Sequence, residues 1–540
     1  MSTSSKTYLA DILKSELELT HSSNYIITTP PGSGKTFAIR ELLFPRVYTE
    51  RSALLYVVNR IALAKQIQRM LDEYAQQHSE QAEYLLSHVH VVTYQKIETL
   101  LSSNTALNYP YNPAFYYGGY ICLDEFHYVW HDSLFNTQTV LSYTFFTQAT
   151  AATRFFMSAS LTPDMIKTLE KTLSDNCPLG SYTAHCRSHG SAIFTSRIYK
   201  EINQMEPNYS YLNLEAFSTI EELPELLKNV SGKTLIFVSS IREGNLLLSL
   251  IEDSLPERNC DFLCSDYRSN PKMADTMETI VSTDRFDSDI LITTTVIDNG
   301  INLTDKSIKN IVVLTHNKIS LEQCLSRRRV EAGEKITLYL CRRSLKYFTD
   351  IKQHMDRIWN CYVIMARLNP SFRLQRYCND HVNAQFYDKI GHYSASPYGQ
   401  SFEINPLSIQ YLSYELTIIN EIIEQFRSKG KNAFLDIQRS WLSSDAPLPY
   451  SDHTIASIQE QFRSLLRDIS GGKMSSQELS SWLKNDNVKR CIVQLSPEKL
   501  YASKPVTKAH LINLLASSDF GFEIEEKTEQ AKKFYTINQK

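Results

Sequence analysis

The sequence predicts an α/β protein: two tandem parallel-sheet blocks followed by a mainly helical region. Three observations predict it. Short apolar runs alternate with helical stretches through the first 190 residues. A second series of the same kind begins near residue 233. After residue 345 the apolar residues recur at helical spacing instead. Strands that alternate with helices imply parallel sheets covered on both faces. The boundaries that follow are a first block at 1–190, a linker at 191–214, a second block at 215–345 and a helical region at 346–540.

In the first block NYIITT (24–29) is a strand-like run leading into a glycine turn. ALLYVV (53–58) is the next, followed by a helical pattern from Ile61 to Tyr74. HVHVVTY (88–94), YICLDE (120–125) and RFFMSA (154–159) continue the series. The polar, Tyr-rich stretch 198–217 reads as a linker or a crossing strand. In the second block the strands are TLIFVSS (234–240), CDFLCS (260–265), DILITTT (289–295), NIVVLTH (310–316) and KITLYLC (335–341). Beyond them Leu412, Leu416, Ile419, Ile423 and Phe426 form one helical stripe, which Gly430 can end. Ile455, Ile458, Phe462, Leu465 and Ile469 form another, ended by Gly471-Gly472. Residues 503–524 read as a helix and hairpin of winged-helix type.

At 540 residues the chain is long enough for about three or four domains. Hydrophobic residues at 42% and charged residues at 21% exclude a disordered, collagen-like or coiled-coil protein. No run of about eighteen apolar residues occurs, so no membrane span is expected. The first residues carry acids early and no long apolar stretch, unlike a secretory signal. The ten cysteines are scattered, and Cys260 and Cys264 lack a second pair at zinc-finger spacing. Reduced thiols in a cytoplasmic protein are the simplest account. A net charge of −3 excludes a uniformly basic nucleic-acid coat but leaves room for a local basic groove.

Two segments carry chemistry. TTPPGSGKT (28–36) follows the first strand and opens a helix. In the loop Pro31-Gly32-Ser33-Gly34 the glycines let backbone N–H groups turn towards phosphate oxygens. Lys35 supplies charge for the β- and γ-phosphates of ATP, and Thr36 a hydroxyl for Mg²⁺. The second segment, YICLDEFH (120–127), is an apolar strand ending in two acids. Asp124 suits Mg²⁺, and Glu125 suits the orientation and deprotonation of an attacking water. An acid pair at a buried strand end is costly unless a cation compensates it.

Together these segments resemble the superfamily 2 helicases and translocases in their DExH form. That family's phosphate loop often has Ala or Thr where Thr29 stands. VVNRIALAKQ (57–66) looks like its motif Ia and VVTYQ (91–95) like the next backbone-contacting segment. MSASLTP (157–163) is similar to the Ser-Ala-Thr motif, with Ser158, Ala159 and Ser160 in its three places. TLIFVSSIREG (234–244) looks like the opening of the second motor lobe, ILITTTVIDNGINL (290–303) like motif V and LEQCLSRRR (321–329) like motif VI. The series covers about 320 residues in family order. Motif VI departs from the pattern, with Ser326 and Arg329 at its glycines and Val330 at its second arginine.

The resemblance implies two RecA-like lobes with Mg-ATP between them. It implies that Gly300 and Gln323 join the phosphate loop in binding ATP, and that the arginine finger is one of Arg327, Arg328 and Arg329. It implies that His127 and Ser158 to Ser160 couple the ATP site to a DNA or RNA track. The implied track contacts are Arg60, Thr93, Tyr94, Ser240 and Arg242. Between 341 and 400 nine Lys/Arg stand against four Asp/Glu with ten aromatics interleaved. That composition suits single-strand binding by charge and stacking, or an ordinary helical domain with a solvated face. The helical region is also where a protein partner would bind. Two other readings remain beside the motor: a P-loop ATPase that remodels proteins, and a nucleic-acid-binding scaffold with weak catalysis.

Overall fold

The computed structural model describes residues 23–539 apart from 30–32, 104–107, 109, 177–181, 187–189, 195–196, 203–208, 229, 295–302, 332, 397–398, 444–447, 497–504, 518–519 and 530–531. The first sheet contains β1 (Ser23–Ile27), β2 (Leu54–Val58), β3 (Val89–Thr93), β4 (Tyr120–Leu123) and β5 (Thr153–Met157). After the hairpin of β6 (Tyr182–Cys186) and β7 (Gly190–Phe194), β8 (Arg197–Ile202) returns to its edge. The order is β3-β2-β4-β5-β1-β8, and every pairing is parallel. The stretch after residue 197 therefore begins as a crossing strand rather than a linker.

The central strands are buried along their whole length. This is why they read as unbroken apolar runs rather than alternating ones. The two-residue period then divides them between two cores. Tyr25, Ile27, Leu54, Tyr56, Val58, Cys122 and Phe155 pack on Ile39, Leu43, Ile67 and Leu71 of the helices Lys35–Thr49 and Ile61–Gln77. Ile26, Leu55, Val57, Ile121, Leu123 and Phe156 face the other way. They share a core with Ile97, Phe146 and Leu169, and with Ile358, Met365, Tyr387, Leu407 and Leu412 from the C-terminal third.

The second block repeats the pattern. β9 (Leu212–Phe217) precedes it. β10 (Lys233–Phe237), β11 (Cys260–Leu263), β12 (Ile290–Thr293) and β13 (Ile308–Val313) lie in the order β11-β12-β10-β13 with parallel pairings. Its helices start at side-chain caps, Ser240 for Ile241–Ser254 and Asn270, followed by Pro271, for Pro271–Thr283. β14 (Ile336–Cys341) ends the series.

The chain forms two compact units. One comprises residues 1–212, 231–337 and 343–447, and the other 213–230, 338–342 and 448–540. Beyond β14 the first unit continues with helices Leu345–Ala366, Pro370–Asn379, Pro406–Lys429 and Ala433–Trp441, and the hairpin of β15 (Gly391–Ser396) and β16 (Gly399–Ile404). In the second unit β17 (Tyr450–Asp452) pairs in parallel with β9. There β18 (Lys473–Ser475), β19 (Phe522–Glu529) and β20 (Lys532–Gln539) form an antiparallel sheet in the order β18-β20-β19. The range 503–524 holds the helix Lys508–Ser517, whereas the hairpin of β19 and β20 lies almost wholly beyond it. Among the described residues no helix is long and apolar enough to cross a membrane.

Candidate active site

The phosphate loop joins β1 to the helix Lys35–Thr49. Pro31 and Gly32 lie outside the described residues. Gly34 caps the helix at φ +86°, the left-handed region where glycine is favoured, and a Cβ there would meet nothing within 4 Å. Backbone geometry, not space, therefore selects this glycine. The cap has no side-chain bond and the first turn no acid, so the N–H dipoles stand available to an anion. Lys35 is buried and donates from Nζ to the Thr29 carbonyl at 3.0 Å. The Thr29 and Ser33 hydroxyls meet at 2.8 Å and brace the loop. Burial lowers the Lys35 ammonium below the ordinary lysine value, against the pull of Glu125 and Asp124.

Asp124 follows β4 at the carboxyl end of the sheet, its N–H bonded to the Val57 carbonyl. Two tyrosines hold it. Tyr56 of β2 donates to Asp124 Oδ2 at 3.1 Å, and Tyr94 to the Asp124 carbonyl at 3.1 Å. The Glu125 N–H donates to Asp124 Oδ1 at 3.0 Å. Glu125 has φ +49°, a conformation that a side chain rarely adopts. Burial and the charge of Glu125 raise the Asp124 carboxyl above the ordinary range. Burial also opposes charge on Glu125, but the His127 ring and Lys35 outweigh it and hold Glu125 below the ordinary range. Its buried Oε2 stands 3.4 Å from His127 Nδ1, a long contact that leaves room for a further donor.

The structure joins the coupling residues to motif VI. His127 Nδ1 lies 2.9 Å from Ser158 Oγ, and Gln323 donates from Nε2 to His127 Nε2 at 2.7 Å and to Ser160 Oγ at 3.2 Å. The Gln323 bond makes Nε2 the acceptor, which places the proton of a neutral His127 ring on Nδ1. Burial lowers the His127 pKa and favours that neutral form, against the pull of Glu125. Ser158 Oγ also accepts the Ser160 N–H at 2.9 Å, and Ala159 sits half-buried between them. Gln323 thus belongs to this bridge and not to the cavity wall.

A cavity of about 420 Å³ opens beside the acids. Gly34, Lys35, Thr36, Asp124 and Glu125 line it from the first block, and Arg327, Arg329 and Asp284 from the second. Arg328 does not line it. Its guanidinium makes a two-pronged pair with Glu334 at 3.0 Å and bonds the Arg329 carbonyl. Buried and committed there, Arg328 is removed from the three finger candidates. Arg327 is tied to the Gln323 carbonyl and Ser326 Oγ, while Arg329 stands exposed within the cavity in the fields of Arg327 and Glu125.

The track candidates divide. Tyr94 is fully buried under the acidic box, so it supports Asp124 and presents no surface to a nucleic acid. Thr93 caps the helix Tyr94–Ser102 by accepting from the Lys96 N–H. Arg60 pairs with Asp132 at 3.0 Å. Ser240 caps its helix by accepting from the Glu243 N–H, and Arg242 is exposed. Gly300 lies outside the described residues. Sequence reasoning missed Tyr56 and the contacts from Gln66 to Asp284 at 3.2 Å and from Arg69 to the Val281 carbonyl, which join the two blocks beside the cavity. Neither carries a sequence signal, because each partner lies more than 60 residues away.

Thr36 and Asp124 are the residues here that could offer oxygen ligands to a divalent cation. The paired carboxylates, with Glu125 Oε2 only loosely held by His127, fit a site that admits a cation and a polarised water.

Residues 4–163 match the family model described as "Type III restriction enzyme, res subunit". No curated protein matches the chain. Similar solved structures include Mycobacterium smegmatis helicase Lhr bound to ssDNA and AMP-PNP, at 13% identity and a TM-score of 0.43 over 75% of this chain. The chain spans 59% of that Lhr chain. S. cerevisiae Dbp5 bound to RNA and ADP BeF3 is similar at 15% identity and a TM-score of 0.43, over 61% of this chain and 81% of that one. That family match spans the first block, where the phosphate loop and the acidic box both lie.

Proposed function

We propose that this protein is a nucleic-acid-dependent ATPase of DExH type that uses Mg-ATP to translocate on, or unwind, DNA or RNA. One observation carries the reading. Lys35, Thr36, Asp124 and Glu125 of one block share a cavity with Arg327 and Arg329 of the next. Hydrolysis of a phosphoanhydride needs those groups at one point: cations on the transferring phosphate, an acid for the metal, and a base for water.

In this reading Lys35 leaves the Thr29 carbonyl for the β- and γ-phosphates. Thr36 and Asp124 would hold Mg²⁺, whose charge would offset that of the phosphates. Glu125 orients the attacking water and takes its proton. Arg329 meets the charge that develops on the γ-phosphate, with Arg327 behind it. The bridge from His127 through Gln323 to Ser160 reports the state of the cavity to both blocks, so closure and release become a two-state change driven by nucleotide. Arg60 and Arg242 contact the phosphate backbone, which carries position and no sequence information.

The test measures ATP hydrolysis by the full chain with no polymer, single-stranded DNA, duplex DNA and RNA, beside Lys35→Ala. Stimulation by one polymer, lost in the variant, is the expected result and names the track. Hydrolysis equal under every polymer would transfer the reading to protein remodelling. Polymer binding without hydrolysis would sink the motor and leave a scaffold.

A further inference from the structure

The helix Pro406–Lys429 is fastened to both blocks. At its start Asn405 Nδ2 donates to the Thr137 carbonyl at 2.9 Å, and Ser408 Oγ to the Ser133 carbonyl at 2.8 Å. Gln410 accepts from Trp130 Nε1 at 2.7 Å and donates to Thr168 Oγ1 at 2.7 Å. All four partners belong to the first block. One turn further on, the polar contacts change sides. Glu415, 3% exposed, accepts from Asn317 Nδ2 at 2.7 Å and stands 3.6 Å from His316 Nε2. Tyr411, beside it, packs its ring on His131.

Asn317 is the N-cap of the helix Lys318–Arg327. Its Oδ1 accepts the Ser320 N–H at 2.9 Å while its Nδ2 is held by Glu415. That helix is held at its middle through Gln323 and His127, and delivers Arg327 and then Arg329 to the cavity. Ten helical residues span about 15 Å, so the helix acts as a short stiff lever whose far end carries the arginines.

We propose that Glu415 is a positioning residue for the arginine finger: through Asn317 it seats the helix that carries Arg327 and Arg329. The inference rests on the ATPase reading and assigns its C-terminal helix a part in it. The chemistry asks for a hydrogen-bond acceptor here. Asn317 Nδ2 is a buried donor whose amide oxygen is already taken by Ser320, and its acceptors come from the facing helix, Glu415 at 2.7 Å and, more weakly, the Tyr411 hydroxyl at 3.4 Å. Burial alone would push the Glu415 carboxyl up, and the hydrogen bond and charge of His316, with Tyr411, reverse that and keep it below the ordinary range. Without Glu415 the amide loses the shortest of its three bonds and keeps only the long one to Tyr411 on that side, the first turn loosens, and the arginines lose their register. A displacement near 1 Å at a reacting group costs about a hundredfold in rate.

The experiment compares the full chain with Glu415→Ala, Glu415→Gln and Asn317→Ala. Ile419→Ala, on the same helix and fully buried, serves as a packing control. Each is assayed for kcat and KM of ATP hydrolysis with the stimulating polymer, for affinity towards a fluorescent non-hydrolysable ATP analogue, and for thermal midpoint. Glu415→Ala is expected to lower kcat about a hundredfold with analogue affinity unchanged within about twofold. Glu415→Gln keeps an acceptor for Asn317 and is expected to recover most of that loss. The Glu415→Ala/Asn317→Ala double variant should be no slower than the slower single. Ile419→Ala should lower the midpoint and spare kcat. An unchanged kcat in Glu415→Ala, or a fall in kcat that tracks the midpoint across all variants, overturns the proposal. Should Glu415→Ala fail to fold, an unchanged kcat in Asn317→Ala does so. A wild type that hydrolyses no ATP sinks the ATPase reading and this inference with it; an active wild type indifferent to position 415 sinks this inference alone.

Discussion

Three adjacent arginines with one local sequence have three different environments. Arg328 is closed off by Glu334, Arg327 is folded back on its own helix, and Arg329 faces the acids across the cavity. Arg329→Ala should therefore lower kcat about a thousandfold with little change in stability, as expected for a finger. Arg328→Ala should lower the thermal midpoint and keep kcat within about threefold, because it breaks a buried pair and touches no phosphate. Equal kinetic losses in the two would show this division to be wrong. Glu125 makes the opposite case, a working group in a strained backbone. Its φ of +49° costs a non-glycine residue about 1 kcal/mol. Glu125→Gly should raise the thermal midpoint by about 2 °C while abolishing hydrolysis, read by calorimetry and phosphate release.

At the scale of elements, parallel register decides which side chains can serve the acids. Tyr56 pairs with Cys122 across β2 and β4, so its hydroxyl reaches the residue just past the end of β4. Tyr56→Phe removes that donor and leaves the ring in its core. Half-maximal hydrolysis should then need about tenfold more Mg²⁺, with kcat at saturating Mg²⁺ nearly restored; an unchanged Mg²⁺ requirement would deny Tyr56 its role. The phosphate loop and the acidic box were legible because each packs its chemistry into a few consecutive residues behind an apolar strand. Tyr94 was not, since TYQ reads the same on a surface as beneath Asp124. Glu415 was hidden inside an apolar helical stripe, where periodicity says which face is buried and nothing about what that face meets. The sheet of the second unit escaped for a related reason. Segments such as FEIEEKTE are half-exposed and heavily charged, which masks the strand pattern.

At the scale of the whole molecule, the two faces of the first sheet differ in where their cover comes from. One is covered by helices that follow closely in sequence, Lys35–Thr49 and Ile61–Gln77. The other is covered partly by nearby residues, Ile97, Phe146 and Leu169, and partly by Ile358, Met365, Tyr387, Leu407 and Leu412, far down the chain. Ending the chain after residue 345 should thus strip part of the cover from the face that carries Ile121, Leu123 and Phe156 and open an apolar patch there. The shortened protein should bind a hydrophobic dye strongly and aggregate, where the full chain stays dye-silent and dispersed. A soluble, dye-silent fragment with normal ATP affinity would refute the dependence.

That shared core also sets a timetable. The res-subunit match ends at residue 163, yet the last side chain its sheet needs is Leu412, some 250 residues later. At roughly 5–20 residues per second, a ribosome takes about 12–50 s to make that length. Throughout that interval the second face of the sheet carries only the part of its cover that Ile97, Phe146 and Leu169 supply. The packing of the first block is then finished by residues far down the chain rather than by those beside it in sequence.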